Sequence, residues 1–100
     1  MILRISEAQS FVREIIKKYG LKRNPLSSLI GVMEELGEFS SKLLVREGFK
    51  KGRVKEHDIG YTLAEVFFEL LKLAEDCNVD LEKEFVEAMK TWRGKEPRWI

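Results

Sequence analysis

The chain has 100 residues, a length that suits one domain spanning 1–100. Its 18 Lys and Arg against 17 Asp and Glu leave a net charge of +1, which excludes the basic excess expected of a protein that binds nucleic-acid polymers or anionic membranes. With 44% hydrophobic and 35% charged residues the composition is globular with a highly charged exterior, not disordered.

Cys77 is the only cysteine, so no intrachain disulfide can form. No apolar run approaches the roughly 18 residues of a membrane span, and the opening Met1-Ile2-Leu3-Arg4 has no signal-like character. The expected location is the cytoplasm.

Four segments carry helical periodicity. The first runs from about Glu7 to Tyr19, with Ser6-x-x-Gln9 as a capping signature and Gly20 as the stop. Its apolar residues are Ala8, Phe11, Val12, Ile15, Ile16 and Tyr19. The second opens at Pro25 behind the cap Asn24 and ends before Gly48, with a stripe of Leu26, Leu29, Ile30, Met33, Gly37, Ser40 and Leu44. Gly37 and Ser40 on that stripe are expected to admit a close helix–helix approach. Residues 46–58 read as a loop broken by Gly48 and Gly52.

The third helix is expected from about Tyr61 to Cys77, with Leu63, Val66, Phe67, Leu70, Leu73, Ala74 and Cys77 as its core stripe. The fourth follows the cap Asp80 and carries Leu81, Phe85, Ala88, Met89 and Trp92 on one face; Gly94 and Pro97 end it, and an irregular tail follows. No strand signal competes, so the fold class is all-α, a helical bundle of about four helices. Val32 and Phe39 on the second helix, and Phe68 and Leu71 on the third, lie off the main stripes. Each central helix therefore has two apolar faces, and the bundle is expected to be completed by self-association.

The chemistry concentrates in acidic residues. Glu34, Glu35 and Glu38 share a narrow arc of the second helix, and Thr62, Glu65 and Glu69 share one flank of the third. Carboxylates converging from two helices can hold a hard divalent cation, Mg²⁺ or Mn²⁺, and through it a substrate phosphate. The same residues also admit plainer readings. Acidic residues commonly form a solvated helix face, Glu38 and Lys42 make a favourable i, i+4 pair, and Thr62-x-x-Glu65 can be a capping box.

The stretch from Leu29 to Phe39, reading Leu-Ile-Gly-Val-Met-Glu-Glu-Leu-Gly-Glu-Phe, resembles the EExxE signature of the MazG-like, all-α nucleoside triphosphate pyrophosphohydrolases. Thr62-Leu-Ala-Glu-Val-Phe-Phe-Glu resembles the second signature of that family, normally Glu-Leu-Ala-Asp. The resemblance covers about residues 6–98, including Asn78-Val-Asp-Leu and Lys90 ahead of a Pro-containing tail. It implies Mg²⁺-dependent hydrolysis of a nucleoside triphosphate to the monophosphate and pyrophosphate by a homodimer or homotetramer of helices.

Carried over by position, Glu35 and Glu38 correspond to the first-motif metal ligands, and Thr62 and Glu65 to the second. Thr62 replaces a glutamate and Glu65 an aspartate, so Glu69 or Asp58 would have to make up the missing charge. Glu34, or a hydroxide on a second metal ion, would activate the water, and Lys51, Arg53 and Lys90 would contact phosphate. The alternative is a catalytically degenerate MazG-like oligomer that binds nucleotide or a protein partner without turnover.

Overall fold

The structure is a computed structural model that describes residues 2–94. It contains four helices: α1 (Ile5–Tyr19), α2 (Pro25–Arg46), α3 (Glu56–Asp76) and α4 (Leu81–Gly94). Among the described residues there is no strand, and the fold is all-α as the periodicity predicts. No helix is long and apolar enough to cross a membrane.

The local signals explain most boundaries, but α1 begins at Ile5 behind Arg4, whose backbone N–H is taken by Glu7, so Ser6 lies inside the helix and caps nothing. The Asn24 side chain accepts from the Leu26 backbone N–H at 2.9 Å, and Pro25 follows it as the first helical residue of α2. Gly20 ends α1 at φ 60°, a conformation that a Cβ disfavours, and Leu21 N–H closes back on the Ile16 carbonyl at 3.0 Å. Asp80 caps α4 through the Lys83 N–H at 3.2 Å. Pro97 and the expected tail lie outside the described residues, as does Trp99.

Two expectations about α3 need correction. The helix begins at Glu56, five residues before Tyr61, so the loop shortens to residues 47–55. Glu56 and Asp58 in the first turn suit the positive end of the helix dipole, and Ile59 is buried. Gly60 lies inside the helix, between the buried residues Ile59 and Thr62. Thr62 therefore sits well inside α3 and caps nothing.

The second correction concerns which faces are inside. The small core joins Val12 and Ile16 of α1 to Leu71 of α3, with Ile5, Ala8, Phe68 and Leu81 against it. The stripe of α2 that reads as a core points outward: Leu26 is 71% exposed, Met33 63% and Ile30 55%. Leu63, Phe67 and Leu70 of α3 are exposed as well. The off-stripe residues Val32, Phe39, Phe68 and Leu71 are the ones that turn inward. Gly37 has nothing near its Cβ position and supports no close approach.

The reason lies between the two longest helices. α2 and α3 run antiparallel and meet along a polar seam. Ser28 contacts Lys72 and Asp76, Gly31 meets Glu69, Lys42 meets Thr62, and Arg46 meets Glu56. Hydrophilic residues therefore occupy much of the joint of the hairpin, and the main apolar stripe of α2 faces away from it. A second polar network ties α1 to the α3–α4 junction. There the Gln9 amide donates to Glu75 at 2.8 Å and to the Val79 carbonyl at 2.7 Å, while its oxygen accepts from Leu81 N–H at 3.2 Å.

Candidate active site

The middle of the seam carries the acidic residues. Glu35 of α2 lies against Glu65 and Glu69 of α3, with Glu38 one turn along its own helix. Burial first, then the negative charges of Glu65 and Glu38, push the Glu35 carboxyl above its ordinary range. A hydrogen bond with Glu38 and the charge of Glu69 add to this. The Glu35 Oε2 atom is shielded from solvent and has no hydrogen-bond partner. A buried acceptor left in this state costs free energy unless something in the working protein engages it.

Gly31 makes room for Glu69. A Cβ built on Gly31 would stand 2.7 Å from Glu69 Oε2, so the absent side chain lets that carboxylate lie across α2. Glu35 of α2 and Glu65 and Glu69 of α3 line an open cleft of about 420 Å³ with Tyr61, Ala64 and Phe68, so the aromatic rings flank the carboxylates along α3. This juxtaposition can place a charged group beside a flat apolar one.

The donor set suits a hard divalent cation: it is all carboxylate oxygen, and Glu35 Oε2 is a shielded acceptor that an ion could engage. The side chains do not stand as a finished ligand sphere. Among the described residues no three His, Cys, Asp or Glu side chains are gathered closely enough to hold one ion. The same carboxylates, after burial, raise the Glu35 pKa, the repulsion that a bound cation would relieve.

The remaining expected site residues lie elsewhere. Glu34 is exposed and lines none of this cleft. Lys51 is exposed in the 47–55 loop, and Arg53 lines a separate cleft with Val45, Arg46, Val54 and Asp58. Asp58, although now helical, pairs with His57 at 3.0 Å and is not in the acidic cleft. Lys90 of α4 pairs with Glu87 on its own helix at 3.3 Å.

Two features went unread in the sequence. Gly31 drew no notice because a mid-helix glycine has no periodic signature. Lys42 reads as an i, i+4 partner of Glu38, yet its ammonium donates to the Thr62 hydroxyl at 2.8 Å across the seam. Thr62 is fully buried.

No family model matches the sequence, and no curated protein matches it. Among solved structures, the chain is similar to YPJD from Bacillus subtilis, described as a candidate pyrophosphatase, with a TM-score of 0.81 and 23% sequence identity. The match covers 95% of this chain and 98% of that one, so the two share one all-α fold along nearly their whole lengths.

Proposed function

We propose that this chain is a Mg²⁺-dependent nucleoside triphosphate pyrophosphohydrolase. The observation that carries the reading is the buried, unpartnered Glu35 Oε2, set among Glu65, Glu38 and Glu69 at the joint of two helices. The shared fold with a candidate pyrophosphatase supports it. Glu35, Glu38, Glu65 and Glu69 would hold the ion, with Mn²⁺ as a substitute. A divalent ion bound there would neutralise phosphate charge and lower the pKa of a bound water. Tyr61 and Phe68 supply the apolar wall on which the rest of the nucleotide rests. The test is pyrophosphate release from a panel of ribo- and deoxynucleoside triphosphates with Mg²⁺ or Mn²⁺. Release that disappears on chelation is expected, and no release from any member removes the enzyme reading.

A second reading has its own observation. The Lys42 ammonium stands at Thr62, where the resemblance expects an acidic ligand. A nucleotide-binding or protein-interaction module without turnover would tolerate that exchange. Metal-dependent nucleotide binding with no pyrophosphate release would establish it.

The proposal includes self-association. Leu26, Ile30, Met33, Leu63 and Phe67 form apolar surface that the described chain leaves uncovered. Burying such a side chain contributes roughly 1.5–3 kcal/mol, so a second copy laid on this face gains heavily. Sedimentation at micromolar concentration should give at least twice the 11.7 kDa chain mass. A mass of one chain would remove this part of the proposal.

A further inference from the structure

We infer that Lys42 holds a phosphate oxygen of the substrate, positioned for it by the Thr62 hydroxyl. The inference rests on the nucleotide reading of the acidic cleft and adds to it a residue to which the family resemblance assigns no part.

The placement comes first. Lys42 lies one turn beyond Glu38 on α2, and Thr62 lies one turn before Glu65 on the antiparallel α3. The Lys42–Thr62 rung is therefore the next step of the seam after the carboxylates, about 5 Å along the helix axes. The Thr62 hydroxyl is fully buried and accepts from Nζ at 2.8 Å, so the long lysine side chain is tethered by its tip. An untethered lysine would lose several rotamers on binding a ligand; here much of that ordering is already done.

The charge comes second. Lys42 makes no ion pair among the described residues, although Glu38 stands at i−4. Of the three N–H donors on an ammonium, one goes to Thr62 and two remain for a ligand. At the other end of the acidic run, Lys72 is already engaged with Ser28 and Asp76. Among the described residues, Lys42 is thus an uncommitted cation on the rung next to the acidic cleft.

The substrate chemistry comes third. A triphosphate brings several negative charges to a cleft walled by glutamates. One divalent ion bound to four carboxylates leaves that cleft net negative, so a polyanion still meets repulsion. A tethered ammonium on the adjoining rung offsets it and offers charge-assisted hydrogen bonds to phosphate oxygen.

A purely structural role for Lys42, easing repulsion among the glutamates, makes a different prediction. Lys42→Met, Lys42→Arg and Thr62→Val are compared with the wild type by two calorimetric titrations on the full chain. One uses Mn²⁺ alone; the other uses α,β-imido analogues of the common deoxynucleoside triphosphates at saturating Mn²⁺. Lys42→Met should weaken the best analogue about ten- to a hundred-fold, while Mn²⁺ alone binds as well as or better than before. Lys42→Arg should restore part of the loss, and Thr62→Val should cost several-fold. Analogue affinity within two-fold of wild type in Lys42→Met overturns this inference and leaves the nucleotide reading standing. Equal weakening of Mn²⁺ and analogue also overturns it, in favour of the structural role. A wild type that binds Mn²⁺ but no analogue, or neither, overturns the nucleotide reading and this inference together.

Discussion

Replacing Glu35 by glutamine is expected to abolish metal-dependent pyrophosphate release and, at the same time, to make the metal-free protein more stable. The two effects have one origin. Glu35 carries a shielded oxygen with no partner and faces Glu65, Glu38 and Glu69. In the metal-free chain its charge is opposed by burial and by three like charges. Glutamine removes the charge at nearly constant volume and adds donors that the neighbouring carboxylates can accept. Solvent on the outer side of the cleft screens part of the repulsion, so the gain is about 1 kcal/mol, roughly 4 °C in Tm for a domain of this size. The functional loss is larger. Groups that merely orient metal ligands cost about 10–100-fold when removed, so a direct carboxylate ligand should cost about 100-fold or more. Pyrophosphate assays and thermal melts in chelator decide both halves. A variant that loses stability, or keeps activity, would show that Glu35 is a structural carboxylate.

The largest stability effect is expected at Asp76, where the seam closes beyond the acidic cleft. Its side chain is fully shielded; it accepts from the Ser28 hydroxyl and the Arg23 guanidinium, and lies 3.7 Å from Lys72 Nζ. Lys72 is itself mostly buried and also donates to Ser28 at 2.8 Å. Asp76→Ala leaves that ammonium without its counter-charge, a loss that for buried pairs amounts to about 3–5 kcal/mol. Native domains of this kind have a total stability of about 5–15 kcal/mol, so denaturant titration should show a large fall in midpoint. A fall under about 1 kcal/mol would mean the network is open to water.

The same group sets the acid limit of the fold. Burial works to raise the Asp76 pKa, but the hydrogen bonds from Ser28 and Arg23 and the charges of Lys72 and Arg23 outweigh it and hold it below the ordinary value. Glu75 is held low chiefly by its hydrogen bond from Arg13, which outweighs burial, with help from Gln9 and Arg23. A depressed carboxylate pKa means that the unfolded chain binds protons at a pH where the folded one does not. The stabilisation is therefore complete above the ordinary carboxylate range and is lost as pH falls through the folded values. Asp76→Ala should flatten that acid limb, and melts across the acidic range measure it.

The sequence showed the helices well because their caps are local. Asn24-Pro25, Gly20 and Asp80 act within a few residues of themselves, and the structure keeps them all. It showed the acidic positions for a similar reason, since i, i+3 and i, i+4 spacing is a property of one helix. What periodicity cannot show is which of two apolar faces turns inward. Leu26 and Met33 on α2 read as core because hydrophobic residues usually are, yet the inner face of α2 is set by Ser28, Gly31, Glu35 and Lys42. Those residues have meaning only beside Lys72, Glu69, Glu65 and Thr62, contacts more than a dozen residues away along the chain. The start of α3 lies in the stretch that reads as a loop after Gly48 and Gly52, and the burial of Ile59 and Thr62 carries the helix through Gly60. Thr62 read as a defect in an acidic motif, and its bond to Lys42 crosses the seam where no single-helix pattern reaches.

The polar joint also settles how the two helices are aligned. Leucine, isoleucine and methionine faces are interchangeable from turn to turn, so a hairpin joined by them could slide by one turn at little cost. The α2–α3 joint allows no such slip. Moving α3 by one turn would bring Val66 or Asp58 opposite Lys42 in place of the Thr62 hydroxyl, and would carry Asp76 away from Ser28. The displaced inner rungs leave the buried Thr62 and Ser28 hydroxyls and the Asp76 carboxylate unmatched. The hydrophilic residues thus serve as a ruler along the hairpin, much as one buried asparagine fixes the register of a coiled coil. The outer apolar positions are correspondingly free to vary among aliphatic residues without shifting the carboxylates against one another.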